Sequence, residues 1–181
     1  MQEAMTTEMS KKINKQDAGL HRLFEKRDLT SVIVNIDGAA RGNPGHAGIG
    51  VLICDAKGEV LASISEYIGE TTNNVAEYSA LIFALQALAG CRPKHLQVFS
   101  DSELLVHQLN GEYKVKSPNI KAYFGEAKGL LRRYSSVEVS HVRREENKEA
   151  DRLANEAIDQ FLDGEKSVAS LDAIPKQEQL F

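Results

Sequence analysis

Tryptophan is absent from the chain, aromatic residues make up only 6% of it, and it has just two cysteines and four prolines. Each shortage closes off a class of protein. Cys54 and Cys91 stand far apart with no second Cys or spaced His beside either, so they build neither a disulfide framework nor a zinc site and predict two free thiols in a reducing compartment. No run approaches the ~18 uninterrupted apolar residues a membrane helix needs, and the opening MQEAMTTEMSKKINKQ has no apolar signal core. The expectation is a cytoplasmic protein with no membrane contact. An excess of positive charge is lacking too: 22 Lys and Arg against 26 Asp and Glu give a net charge of -4. That balance excludes a chain that holds nucleic acid by bulk positive charge alone.

What remains, over 181 residues, is an ordinary globular composition, 42% hydrophobic and 27% charged, enough for one domain with short tails. Residues 1–28 carry six basic and five acidic side chains and few large apolar ones beyond Leu20, Leu23 and Phe24, which predicts a solvated, flexible arm with room for one short amphipathic helix. The patterned region is 29–163. Residues 164–181, polar and holding Pro175, read as a flexible tail.

Within the patterned region, alternation predicts strands over Ser31–Asp37, Ile49–Cys54, Glu59–Glu66, His95–Ser100 and Val137–Val142. Helical periodicity predicts helices over Asn73–Ala89, Ser102–Asn110, Pro118–Arg133 and Asn147–Leu162, the first capped by Thr72 or Asn73. The first three strands, joined by short links, form an antiparallel meander. Connections through helices bring the later strands back parallel. The fold class is therefore α/β: a five-stranded mixed sheet, three antiparallel then parallel strands, flanked by helices.

The acidic residues fall at informative places on these elements. Asp37 ends the first predicted strand, Asp101 follows the fourth, and Glu77 and Asp151 lie in the first turns of two helices. If strands one and four are parallel neighbours, their carboxyl ends form the crevice where open α/β sheets bind ligands. Four carboxylates gathered there repel at neutral pH unless cations neutralise them. Hard oxygen donors without His or Cys select Mg²⁺ or Mn²⁺ over zinc. Two such ions ~3.5–4 Å apart activate a water and stabilise a leaving oxygen in phosphodiester cleavage, with no Ser or Cys nucleophile.

The surroundings of the four residues carry a resemblance. Asp37-Gly38-Ala39-Ala40-Arg41-Gly42-Asn43-Pro44-Gly45, Thr72-Asn73-Asn74-Val75-Ala76-Glu77, Ser100-Asp101-Ser102 and Asn147-Lys148-Glu149-Ala150-Asp151-Arg152-Leu153-Ala154 are similar, in order and placement, to the signature segments of type-1 ribonuclease H. The likeness covers about residues 31–162. It implies cleavage of the RNA strand of RNA/DNA hybrids with two Mg²⁺ ions, Mn²⁺ serving as well, held by Asp37, Glu77, Asp101 and Asp151. It also implies hybrid contacts at Asn43, Asn73 and Asn74, whose amides can both donate to and accept from base edges and 2′-hydroxyls. Two rival readings are a nuclease preferring RNA-DNA junctions or double-stranded RNA, and a non-catalytic hybrid-binding module. A monomer is expected.

The chain departs from many relatives at two points. In the link HVRREENKEAD, counting back ten positions from Asp151 puts His141 where relatives often carry the His of a mobile loop; alternation through Val137, Val139 and His141 instead puts His141 inside the strand, leaves that loop missing and nominates Arg143 or Arg144 as the charged residue near a phosphate. A large Trp-containing basic insertion is also missing. The stretch 114–133 nonetheless sets six basic side chains against Glu126, net +5, with Tyr123 and Phe124 interleaved. Lys114, Lys116 and Lys121 lead it as candidate phosphate contacts for the DNA strand. Finally, Gln177-Glu178-Gln179-Leu180-Phe181 resembles the short peptide by which bacterial replication proteins dock on the sliding clamp. Leu180 and Phe181 would fill an apolar pocket and Gln177 its polar rim.

Overall fold

The computed structural model describes residues 29–91 and 93–172, together with Phe24, the side chains being described as far as residue 164. Strand β1 (Ser31–Gly42) forms a hairpin with β2 (Gly45–Asp55), and β2 pairs with β3 (Val60–Thr71), all antiparallel. Helix α1 (Asn73–Ala87), extended by a 3₁₀ turn over Leu88–Gly90, leads to β4 (His95–Ser100), parallel to β1. Two further helices, α2 (Glu103–Leu109) and α3 (Pro118–Leu131), precede β5 (Ser136–His141), parallel to β4. A 3₁₀ turn over Arg144–Glu146 introduces α4 (Lys148–Asp172). The spatial order is β3-β2-β1-β4-β5, the five-stranded mixed sheet that the sequence predicts.

Alternation assigns the faces. Val32, Val34 and Ile36 of β1, Ile49, Val51 and Ile53 of β2, and Leu96 and Val98 of β4 are buried against Tyr78, Leu81, Leu85 and Leu88. This face holds α1 and α3. The other face is closed by α4, which comes so near to β2 that a Cβ on Gly50 would lie 2.0 Å from the Ala150 carbonyl oxygen and one on Gly48 2.4 Å from that of Ala154. Two glycines on β2 thus set the depth at which α4 docks.

Several boundaries differ from the pattern reading. Residue Asp37 does not end β1: the strand runs five residues further because its antiparallel ladder with β2 continues to Gly42↔Gly45. Only its parallel ladder with β4 stops beside Asp37, at Ile36↔Ser100. The Gly and Asn residues that follow Asp37 sit in the ladder and at its tip, where Gly42 takes φ +105°. Helix α4 continues ten residues past Leu162, into the segment expected to be a tail; its sequence offers no proline before Pro175. Phe24, expected in a solvated arm, is helical and buried in the core. The rest of 1–28 lies outside the described residues, as does the Gln177–Phe181 segment.

Candidate active site

The parallel register of β1 and β4 ends at Ile36↔Ser100, so Asp37, still in β1, and Asp101, just past the end of β4, are the next residues along two adjacent strands. Glu77 arrives from above. The Thr72 hydroxyl caps α1 by accepting the Val75 N–H at 3.3 Å, which puts Glu77 in the second turn. Gly38 then lets the helix press onto β1: a Cβ there would stand 2.2 Å from the Glu77 backbone nitrogen. Carboxylate oxygens of Asp37, Glu77 and Asp101 consequently all lie within 4.8 Å of one another.

Burial makes this cluster unusual. Asp37 and Glu77 are each only 5% exposed. Loss of solvent, then the charges of Asp101 and Asp151, pushes the Asp37 carboxyl up to about 8. Burial, followed by the neighbouring Asp37 and Asp101 charges, holds Glu77 well above the usual carboxylate range. Glu77 Oε2 is buried without a hydrogen-bond partner. An unsatisfied buried acceptor costs ~1–3 kcal/mol unless something fills its place. A hard divalent cation answers all three features at once: it supplies the missing partner, offsets the repulsion and accepts an all-oxygen donor set.

Asp151, in the first turn of α4, stands at the rim and outside that triad. Its Oδ1 accepts from Arg144 Nη2 at 2.6 Å. Together with Gly38, Asn73, Ser102 and Asn155, the four acidic residues and Arg144 line an open cleft of about 410 Å³. The structure thus brings together six of the residues singled out in the sequence: Asp37, Glu77, Asp101, Asp151, Asn73 and Arg144. Others lie outside the lining. Asn43 is exposed at the hairpin tip, where its Oδ1 accepts the Asn73 N–H at 3.2 Å, and Asn74 is exposed beside it. Arg143 is exposed and its N–H donates to Glu146 Oε2 at 3.1 Å, a contact within the 3₁₀ turn. Residue His141 is the exposed last residue of β5, paired in register with Ser100. Lys114 and Lys116 are exposed on the segment entering α3, and Lys121 is exposed within the start of that helix.

Asn147 is a residue whose part the sequence pattern does not disclose. It is 1% exposed, and its Nδ2 donates to the Ile36 carbonyl at 2.9 Å and to Asp101 Oδ1 at 3.3 Å. Its Oδ1 accepts from Asn35 Nδ2 at 3.2 Å, and its carbonyl accepts the Asp151 N–H at 3.1 Å. One amide therefore ties β1, the end of β4 and the start of α4 together, fixing the separation of three of the four carboxylates. The available signal is Asn147 four residues before Asp151, paired with a polar Asn35 in an otherwise apolar strand.

Comparison with known proteins agrees with this geometry. A family model described as reverse transcriptase-like matches residues 35–157. The bifunctional protein Rv2228c of Mycobacterium tuberculosis is 40% identical over 129 residues, covering 71% of this chain; the chain spans 35% of that protein's length. The crystal structure of RNase H1 from the halophilic archaeon Halobacterium salinarum superposes with a TM-score of 0.70 at 38% identity, covering 72% of this chain and 98% of that one. LC11-RNase H1, in a crystal structure with an RNA/DNA hybrid, gives 0.69 at 47% identity over 72% of this chain and 99% of that one. Among the described residues no helix is long and apolar enough to cross a membrane. With the fold, the acidic triad and these matches in agreement, the chain belongs to the type-1 ribonuclease H family.

Proposed function

We propose that this chain is a metal-dependent endoribonuclease that hydrolyses the RNA strand of RNA/DNA hybrids. The observation that carries the reading is the triad Asp37, Glu77 and Asp101, three carboxylates from three elements converging within 4.8 Å with one buried oxygen left unpartnered. That LC11-RNase H1 was crystallised on a hybrid supports the substrate. Asp37, Glu77 and Asp101 on the floor of the cleft, with Asp151 on its rim, would hold two Mg²⁺ ions, Mn²⁺ serving as well. When bound, such ions supply an activated water at neutral pH and stabilise charge on the leaving 3′ oxygen.

The chain's own residues do the rest. Asn147 holds Asp101 and the start of α4 against β1. Asn73, on the cleft wall, and Asn43 and Asn74 beside it present amides at one edge, suited to reading 2′-hydroxyls. Arg144 overhangs the cleft where a phosphate would enter, and Arg143 adds charge outside it. Lys114, Lys116 and Lys121 grip the DNA strand by its phosphates. The same reading makes the protein a cytoplasmic monomer. Its Gln177, Leu180 and Phe181 dock on the sliding clamp, a proposal that rests on the sequence pattern alone.

The test is cleavage of labelled RNA/DNA hybrid, double-stranded RNA and a duplex with a single ribonucleotide, with Mg²⁺ or Mn²⁺, beside Asp101→Asn. The hybrid should be cut to 5′-phosphate and 3′-hydroxyl ends, and Asp101→Asn should be inert. Full activity in that variant, or a duplex of RNA cut in preference to the hybrid, would overturn the assignment.

A further inference from the structure

Among the described residues, Arg144 and Asp151 form the one ion pair inside the cleft, at 2.6 Å. The pairing has a directional cause. The 3₁₀ turn over Arg144–Glu146, closed by the Arg143 N–H to Glu146 hydrogen bond, delivers Arg144 to the mouth of the cleft seven residues before Asp151. Its guanidinium feels the charge of Asp151 first and also that of Asp37 and Asp101. The Arg144 side chain is 72% exposed and has no second partner among the described residues, so one hydrogen-bonded fork tip holds it. Deeper in, the floor triad keeps an orphaned Glu77 oxygen, and no cationic side chain among the described residues touches it. The two halves of the acidic cluster thus differ: the floor is open to a cation, and the rim carries one of its own.

We infer that Arg144 is a resident cation on Asp151, so that a divalent ion using Asp151 must first displace the guanidinium. This rests on the metal-dependent reading above. A carboxylate oxygen already accepting a charge-assisted bond at 2.6 Å is a poorer ligand, and two cations competing for it weaken each other equally. In the protein alone, Asp37, Glu77 and Asp101 would hold one ion well, and Asp151 would add little to the hold on a second. With Asp151 engaged otherwise, the Arg144 guanidinium would have its donors free at the cleft mouth for a phosphate. The pair is thereby a coupling device: substrate phosphate, by engaging Arg144, strengthens the second ion's hold on Asp151.

The experiment is a Mn²⁺ titration of the substrate-free protein, followed by calorimetry and by the paramagnetic signal of free ion, on the wild type, Arg144→Ala, Arg144→Lys, Asp151→Asn and the Arg144→Ala/Asp151→Asn pair. The wild type should show one stronger and one weaker site. Arg144→Ala should tighten the weaker site by about tenfold, on the scale of ordinary site coupling, and leave the stronger one unchanged. Arg144→Lys, a single-point donor, should fall between, and removing Arg144 should change nothing when Asp151 is already Asn. Superimposable isotherms for wild type and Arg144→Ala, both folded by circular dichroism, would overturn the inference while leaving the metal reading intact. No Mn²⁺ binding to the wild type that Glu77→Gln weakens would instead sink the metal reading itself.

Discussion

The floor and the rim of one cleft are built from the same residue type and meet opposite fates. On the floor, Asp37 and Glu77 are each 5% exposed, carry raised proton affinities and leave an oxygen unpartnered. At the rim, the Asp151 side chain is 28% exposed and already neutralised by Arg144. Position in the sheet explains the contrast. The floor residues are fixed by strand register and by a helix pressed onto Gly38, so they cannot turn to solvent. The rim residue starts a helix and meets a long, exposed arginine on the turn before it. Burial therefore builds a repulsion into the ionised floor that a proton or a cation must relieve, whereas the rim relieves its own.

The sharpest way to break this contrast is to compare Glu77→Gln with Asp151→Asn. Glu77→Gln should reduce hybrid cleavage on the order of a thousandfold or more, the scale at which loss of one pre-organised electrostatic group is felt. The same change should raise the melting temperature of the metal-free protein, by about 2–4 °C for each kcal/mol of repulsion removed. Asp151→Asn should lose less activity and gain no stability, since it dissolves the ion pair with Arg144. Cleavage assays and thermal melts in EDTA check both. Matching shifts in the two variants would erase the distinction between floor and rim.

That contrast also marks how far the sequence can be read. The order of elements follows from alternation and periodicity, whereas the neighbouring of β1 and β4 enters only as a condition, and the gathering of Asp37, Glu77, Asp101 and Asp151 in one cleft rests on that condition and on the resemblance of the four segments. Register is not legible: nothing in SVIVNID says that the strand survives its glycines, because that depends on pairing with His46 and Gly45 across the hairpin. Asn147 stands out in the sequence only as part of a motif, since its side chain bonds to residues more than forty positions away. Nor does composition reveal Phe24 as core, because an apolar residue in a charged segment is identified as core only by the surface it covers. Arg144 is one of two adjacent arginines; the 3₁₀ turn, visible only in three dimensions, turns one into the cleft and leaves the other outside.

A second comparison separates the floor with metal from the floor without. Asp37 rises from 3.8 to about 8, and Glu77 moves in the same direction, mainly through burial. Between those limits the folded protein binds more protons than the unfolded chain, so the stability of the metal-free protein falls as pH rises from about 4 to about 8. Bound Mg²⁺ removes the penalty by taking the place of the protons. The gain in melting temperature on adding Mg²⁺ should therefore be small near pH 5 and grow steadily towards pH 8. Calorimetric melts across that range, in EDTA and in excess Mg²⁺, test it, and Asp37→Asn should flatten the EDTA curve. A metal-free stability that holds level or climbs over this interval would contradict the account of the floor.

The smallest expected effect concerns charge of the other sign, outside the cleft. Lys114, Lys116 and Lys121 are exposed around the start of α3, whereas Lys128 of the same stretch is half-buried with its Nζ donating to the Leu109 carbonyl at 3.2 Å. The basic run is therefore two things: a free edge that can meet phosphates and a lysine that fastens α3 to the end of α2. Replacing any of the three exposed lysines by Ala should weaken hybrid binding only a few-fold at moderate salt and lower the slope of log affinity against log salt by about 0.7–0.9 for each phosphate no longer neutralised. Turnover at saturating hybrid should hardly change, because no atom of the cleft has moved. Lys128→Ala should do the reverse, leaving the salt slope nearly intact while reducing stability, because nothing then ties α3 to the Leu109 carbonyl. Should the salt slope respond to Lys128 and not to Lys114, Lys116 and Lys121, the hybrid's DNA strand lies against the body of α3 and not along its entry segment.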